Sequence, residues 1–325
     1  MLRAVAHSET DPHGASTMPD TTQLLEDGRR FEGHGVLDRA LESYEQAAES
    51  ATDPAVVAEA LTSQSRVHRC RSEWELALAT ARRAQDTARI AGLEASLIEA
   101  LIAEGNVLIC RGDFAEALGI FRNVLETNAD ARVRGIALQN IGSILWQQGQ
   151  LGAAERALSE SFGWFHRAGY GLGEAIALNN HGRITLERGN PELAKQLLWQ
   201  ALEAARANED AELVALVMVN FAEALNALGD HVRAEEAAST ALGYFTTSGN
   251  RWREIECLRL IGMINEQLGD CDHSTRCYER ALRLAEQIGA RQDVRLIHEC
   301  LARVRNSIGP RKASASSPPE QRPTT

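Results

Sequence analysis

Apolar and small side chains recur along this chain at spacings of four and then three residues. In GDFAEALGIFRNV, Gly112 to Val124, the series is Ala117, Phe121 and Val124. At about 100° per residue such a series stays on one face of a helix, with charged residues on the other. The pattern returns six more times. Registers started at Thr21, Ala58, Ile98, Gly135, Ala175, Ala215 and Ile255 are separated by 37, 40, 37, 40, 40 and 40 residues. The twentieth place of each holds Ala40, Ala77, Ala117, Ala154, Ala194, Ala234 or Ser274. Four residues on stand Tyr44, Ala81, Phe121, Leu158, Leu198, Ala238 and Tyr278. Three further come Ala47, Ala84, Val124, Ser161, Ala201, Ala241 and Ala281.

Two other places punctuate each unit. The eighth carries Gly28, Ser65, Gly105, Gly142, Gly182, Ala222 and Gly262, small enough to let a neighbouring helix come close. The fifteenth carries Gly35, Ser72, Gly112, Gly149, Gly189, Gly229 and Gly269, suited to the left-handed residue that ends a helix. Asp113, Asn190, Asp230 and Asp270 follow that glycine and are expected to cap a second helix, with Pro191 at a first helical position. Each unit therefore predicts two antiparallel helices, with the twentieth-place alanine against the eighth-place residue of its partner. The expected organisation is seven hairpins over residues 21–309, repeats starting near 21, 58, 98, 135, 175, 215 and 255. ARQDVRLIHECLARVRNSIG closes them as a capping helix over about 290–308. Residues 1–20 and the Ser/Pro-rich 310–325 are expected to be disordered, because they hold too little apolar surface to order themselves.

Composition agrees with helices. Alanine and leucine dominate, aromatics are 5% and there are eight prolines, which disfavours a β-sheet core. The net charge of −11 gives no electrostatic reason to bind nucleic acid or an anionic membrane, and no run of Lys or Arg forms a basic patch. Only Lys195 and Lys312 are lysines, which reads as the arginine bias of a high-GC, bacterial genome. The N-terminal stretch has no apolar run of signal-peptide length, and no segment approaches a membrane span, so a cytoplasmic protein is expected.

These repeats resemble the tetratricopeptide repeat (TPR) family, whose small residue, large residue three on, and Ala…Tyr/Phe…Ala series is seen in GDFAEALGIFRNV. The resemblance covers roughly residues 21 to 309. Its departures are the missing first-helix tryptophan, a closing proline only near Pro54, and units longer than the family's usual length of about 34 residues. Longer units of this kind are similar to those of kinesin-light-chain-like repeats and of sensor arms of bacterial transcriptional regulators. The resemblance implies an all-α, superhelical solenoid with a concave groove, no enzymatic activity, no cofactor, and a protein or peptide partner. The alternative it implies is a regulatory arm that senses a small molecule or pheromone peptide and controls a transcription factor.

Chemistry-bearing motifs are sparse. There is no GxSxG, HExxH or Walker loop. AGYGLGEA imitates a phosphate loop but falls between two repeats with no strand before it. In GDCDHSTRC only His273 and Cys277 share a helical face, too few ligands for a metal. The six cysteines read as reduced. Cys70 and Cys110 hold the same place in neighbouring repeats and could bridge only if their side chains converge. The aromatic pairs Trp164–Phe165 and Tyr244–Phe245 read as packing between repeats, and His181 as a packed, hydrogen-bonded histidine.

The candidate site lies on the opposite arc. The second, fifth, sixth, ninth, twelfth and thirteenth places of each first helix share about 120° that does not pack. They supply Asn106 and Ile109; Gln139, Asn140, Ser143 and Trp146; Asn179, Asn180, Arg183 and Leu186; Asn220, Glu223 and Asn226; and Arg259, Met263 and Glu266. Asn140, Asn180 and Asn220 hold the same sixth place in three successive repeats. A carboxamide donates and accepts at once, which suits the main chain of an extended peptide. In TPR proteins that bind peptides, asparagines at equivalent places play that part, and neighbours such as Trp146, Ile109, Leu186, Arg183 and Arg259 would set specificity. The alternative is that these asparagines bond to the neighbouring helix. The lysines of a terminal-carboxylate clamp are missing.

Overall fold

The computed structural model describes residues 20–308 apart from residue 128; the two segments expected to be disordered lie outside the described residues but for Asp20. Fifteen helices fill it: α1 (Thr21–Gly33), α2 (Leu37–Ser50), α3 (Pro54–Cys70), α4 (Trp74–Ile90), α5 (Glu94–Arg111), α6 (Phe114–Glu126), α7 (Ala131–Gln147), α8 (Leu151–Arg167), α9 (Gly171–Glu187), α10 (Pro191–Ala207), α11 (Ala211–Ala227), α12 (His231–Ser248), α13 (Arg251–Leu268), α14 (Cys271–Gln287) and α15 (Arg291–Ile308). No strand occurs among the described residues. The fold class is the expected one, an all-α solenoid of seven hairpins plus a last helix.

From the second repeat on, each first helix begins four residues before the register read from the sequence. Those registers were anchored on buried small residues such as Ala58 and Ala175, which stand one turn inside the helix. Three of the starts are marked by side-chain caps. Asp53 accepts from Ala55 N and leads into Pro54, Asp210 accepts from Leu213 N at 2.9 Å, and Asn250 accepts from Arg253 N at 3.2 Å. Three of the four expected second-helix caps form. Asn190, Asp230 and Asp270 accept from Leu193, Arg233 and His273 N. Asp113 does not, because its carboxylate is taken by Arg111. At the fifteenth place Gly112 and Gly189 have φ of 91° and 79°, left-handed as expected, and Ser72 takes the same conformation at 60°.

Packing inside the hairpins is partly the expected one, since Ser65 donates to the carbonyl of Ala77 and Gly182 stands against that of Ala194, both twentieth-place alanines, but the nearest side chain is another. The residue that lies on the eighth-place glycine is the large one of the twenty-fourth place. A Cβ added to Gly28 would stand 2.4 Å from the Tyr44 ring, one on Gly105 2.6 Å from Phe121, and one on Gly262 2.6 Å from Tyr278. The twentieth-place alanines are buried beside these contacts.

The described residues divide into two compact units, one up to residue 144 and one from residue 145 on. In the first, Leu25, Tyr44, Ala47 and Val67 form one core cluster and Leu61, Ala84 and Ala100 another. In the second, the largest cluster runs from Leu178 and Leu198 through Val217, Phe221 and Leu225 to Phe245, Ile261 and Ile264. Helix α15 closes that unit by laying Ile297, Leu301 and Val304 on Ile255, Leu258 and Tyr278. No helix of the described residues is long and apolar enough to cross a membrane.

Candidate peptide-binding groove

In the second unit, the unpacked arcs of α9, α11 and α13 face one cavity of about 350 Å³. Leu172, Ile176, Leu213 and Leu216 give it an apolar side, while Asn179, Asn180, Arg183, Asn220 and Arg253 give it a polar one. An apolar wall beside convergent polar groups is a setting that can hold a small ligand or a peptide segment.

The three amides in it are joined. Asn220 Nδ2 donates to Asn179 Oδ1 at 2.7 Å across from α11 to α9, and Asn179 Nδ2 donates to Asn180 Oδ1 at 3.4 Å. Asn179 is thereby consumed twice, and it is buried. One donor, Asn180 Nδ2, and one acceptor, Asn220 Oδ1, have no hydrogen-bond partner among the described residues, and both atoms are open to solvent. Reversing all three amides leaves the same count of one donor and one acceptor.

Beside the cavity, Trp146 donates its indole N–H to Glu187 at 2.7 Å, and the Arg183 guanidinium lies 4.6 Å from the centre of the Trp146 ring. Arg259 pairs with Asp293 of α15 at 3.2 Å. Glu223, one turn beyond Asn220, makes no hydrogen bond or ion pair among the described residues. Burial, and then the charge of Glu256, push its carboxyl above the usual carboxylate range against the pull of Arg183 and Arg259.

The remaining candidates scatter. Asn226 is buried and bonded to His231 Nδ1 at 2.8 Å, at the start of α12, so its amide is spent inside its own hairpin. Leu186 packs half-buried against the main core cluster. Glu266 is held by Tyr278 and Arg303, and Met263 is exposed. In the first unit Asn140, Gln139 and Ile109 are half-buried, and Ser143 Oγ donates to the Gln139 carbonyl at 3.0 Å. Asn106 lines a separate cavity there. The bond between Asn220 and Asn179 is of the kind the alternative expected, amide to neighbouring helix, and it joins different places of successive repeats, 41 residues apart.

The other motifs are structural. All six cysteines are free, Cys70 and Cys110 being exposed. Asp270 caps α14, Cys277 is buried, and no group of three metal-ligating side chains occurs among the described residues. Phe165 and Phe245 are core residues. Gly173 of AGYGLGEA sits where a Cβ would lie 2.4 Å from Tyr170 and 2.7 Å from Phe165, so this glycine serves aromatic packing at the start of α9. His181 lies 3.6 Å from Glu155, and burial pulls its pKa below the ordinary value against that carboxylate.

Comparison with known proteins agrees with this architecture. The family model described as "Tetratricopeptide repeat" matches residues 133–207 and 213–287. A comparison with curated proteins gives no match. Among solved structures, the Rap conjugation gene regulator of the plasmid pLS20 in complex with the Phr* peptide is similar at a TM-score of 0.63 and 17% identity. That likeness covers 84% of this chain and 76% of the regulator. The apo form of the quorum sensor NprR from B. thuringiensis is similar at 0.65 and 13%, over 81% and 76%. A Signal Transduction ATPase with Numerous Domains from Pyrococcus horikoshii, with a tetratricopeptide repeat sensor, is similar at 0.69 and 16%, over 90% of this chain and 45% of that one. At these identities the likeness is one of fold.

Proposed function

We propose, from the premise that this chain is a tetratricopeptide-repeat protein, that it is a non-enzymatic interaction protein holding an extended peptide or protein segment in the groove of α9, α11 and α13. The observation that carries this reading is the joined amide series of Asn179, Asn180 and Asn220, which leaves one donor and one acceptor facing the cavity. A peptide unit offers the complementary pair, a C=O for Asn180 and an N–H for Asn220. Such bonds hold any sequence; Leu172, Ile176, Leu213 and Leu216 would select an apolar side chain, and Arg183, braced on Trp146, a polar or acidic one. Asn140, at the same place of its repeat, belongs to the first unit and is proposed as a main-chain contact of that unit by itself. The Rap regulator similar to this chain was solved with a peptide, which supports the reading by analogy of fold.

A second reading makes the same groove the sensing site of a regulatory arm that answers to a small molecule or pheromone peptide. Its support is the cavity volume, about 350 Å³, which suits a small ligand, and the sensor role printed for two of the similar structures.

Affinity capture of partners by the wild-type chain, with mass spectrometry, followed by titration of the captured partner against Asn180→Ala/Asn220→Ala, tests the proposal. Two hydrogen bonds at about 1 kcal/mol each correspond to a loss of roughly thirtyfold. Unchanged affinity in a variant that keeps its helical content and melting temperature sinks it. Capture of a small metabolite in place of a polypeptide decides for the sensing arm.

A further inference from the structure

The first unit has a cavity of its own, about 650 Å³, on the unpacked arcs of α1, α3, α5 and α7. Its charge is opposite in sign to that of the chain. Arg29, Arg66, Arg69 and Arg132 line it against two carboxylates, Glu59 and Glu99, while the whole protein carries −11. Glu59 is neutralised by Arg29, and Arg66 is forked on Glu32 at 2.5 and 2.8 Å. Arg69 makes no ion pair among the described residues; its hydrogen-bond contact is Cys110 Sγ, at 3.9 Å. The Asn106 amide in the same wall has no partner among the described residues, and Ile102 and Ile136 supply an apolar floor. By contrast, the cavity of the second unit balances Arg183 and Arg253 with Asp210 and Glu212.

We infer that the first unit carries a second binding site, specific for an acidic polypeptide segment. Arg69, which makes no ion pair among the described residues, takes a ligand carboxylate. A planar guanidinium does this in fixed geometry and loses little hydration in doing so. Asn106 takes the ligand main chain, and an apolar ligand side chain sits on Ile102 and Ile136. A nucleic acid would also bring negative charge. The lining holds no aromatic side chain on which a base could stack, so a polypeptide is the occupant favoured. The site is independent of the groove of the second unit.

The test is fluorescence anisotropy on the full chain with two labelled ten-residue probes, one alternating Glu with Leu and one alternating Lys with Leu, and a labelled oligothymidine. The acidic probe is expected to bind more tightly than the basic one. Arg69→Gln should weaken the acidic probe by about tenfold, as the loss of a charge-assisted hydrogen bond does, and Arg69→Glu/Arg132→Glu by more. Raising the salt concentration should weaken it further, and the loss caused by Arg69→Gln should be the same in the Asn180→Ala/Asn220→Ala background. Arg69→Gln changes a half-buried side chain outside the core, so it serves where the double variant fails to fold. The inference is overturned if the acidic probe does not bind, if Arg69→Gln binds it as well as wild type does, if the Arg69→Gln loss disappears in the Asn180→Ala/Asn220→Ala background, or if oligothymidine binds more tightly.

Discussion

The closest packing in each hairpin is a trade of volume between two positions. Where the eighth place is glycine, as at Gly28, Gly105, Gly182 and Gly262, the twenty-fourth is Tyr44, Phe121, Leu198 or Tyr278. Where the eighth is Ser65 or Ala222, the twenty-fourth shrinks to Ala81 or Ala238, both fully buried. Ser65 then uses its hydroxyl to donate to the Ala77 carbonyl at 2.7 Å. Interiors packed at crystal density respond to single methylenes, so the pair must change together. Gly105→Val should therefore lower stability by about 2 kcal/mol through overpacking against Phe121, while Gly163→Ala, where an added Cβ meets nothing within 4 Å, should raise it by about 0.5–1 kcal/mol. Urea unfolding of both variants checks this; equal shifts would mean that the glycines do not serve close approach.

Between elements, one fastening is used at both ends of the repeat series. Tyr44 donates to Glu32 at 3.0 Å and Arg66 of the next first helix forks onto the same carboxylate. Tyr278 donates to Glu266 at 2.5 Å and Arg303 of α15 forks onto it at 2.8 and 2.8 Å. In each case the carboxylate stands at the twelfth place. Burial pushes Glu266 up, but the hydrogen bonds from Arg303 and Tyr278, with the arginine charge, outweigh it and hold the carboxyl below its ordinary range. Burial likewise pushes the Tyr278 hydroxyl up, aided by Glu266, so the phenol stays a donor. Arg303→Ala should release the end of the stack: amide exchange across Arg291–Ile308 should quicken, with α9 and α11 unchanged, because terminal elements open independently of the rest. Mass-spectrometric hydrogen exchange reads this directly, and unaltered protection in α15 would show that its apolar face alone secures it. Helix boundaries were legible in the sequence to within one turn, since caps such as Asp210 and Asn250 stand outside the periodic stripe that marks the register.

At the scale of the whole molecule, the perturbed groups set an acid-side weakness. Glu32, Glu254 and Glu266 all have burial pushing them up and arginine hydrogen bonds outweighing it, so their folded pKa values lie below 4.5. Their stabilisation is present above 4.5 and lost as pH falls through the folded values. His181, depressed by burial below 6.5, adds a loss that begins as pH drops through that value. Glu223 has the opposite sign: raised above 4.5, it costs stability as pH rises through its folded value. Thermal melts between about pH 3 and pH 8 should thus show a fall on acidification. Glu223→Gln should raise the melting temperature near pH 7 and not near pH 4; a uniform gain at both would show that the carboxyl is not the source.

The sequence by itself determined the hairpin, its repetition and the arc left unpacked, because these follow from small residues recurring at helical spacing and from glycine at the turns. It also marked Asn180 and Asn220, which share a register. Only the tertiary structure decided what the arcs meet across helices. Asn179 joins Asn220 from a different place of the repeat, Asn226 turns inward to His231, and arginines spread from Arg29 to Arg132 line one cavity in a chain with no basic run. The physical reason is that periodicity fixes direction around a helix axis, whereas hydrogen bonds and charge clusters depend on distances between axes, which packing of the large and small residues sets.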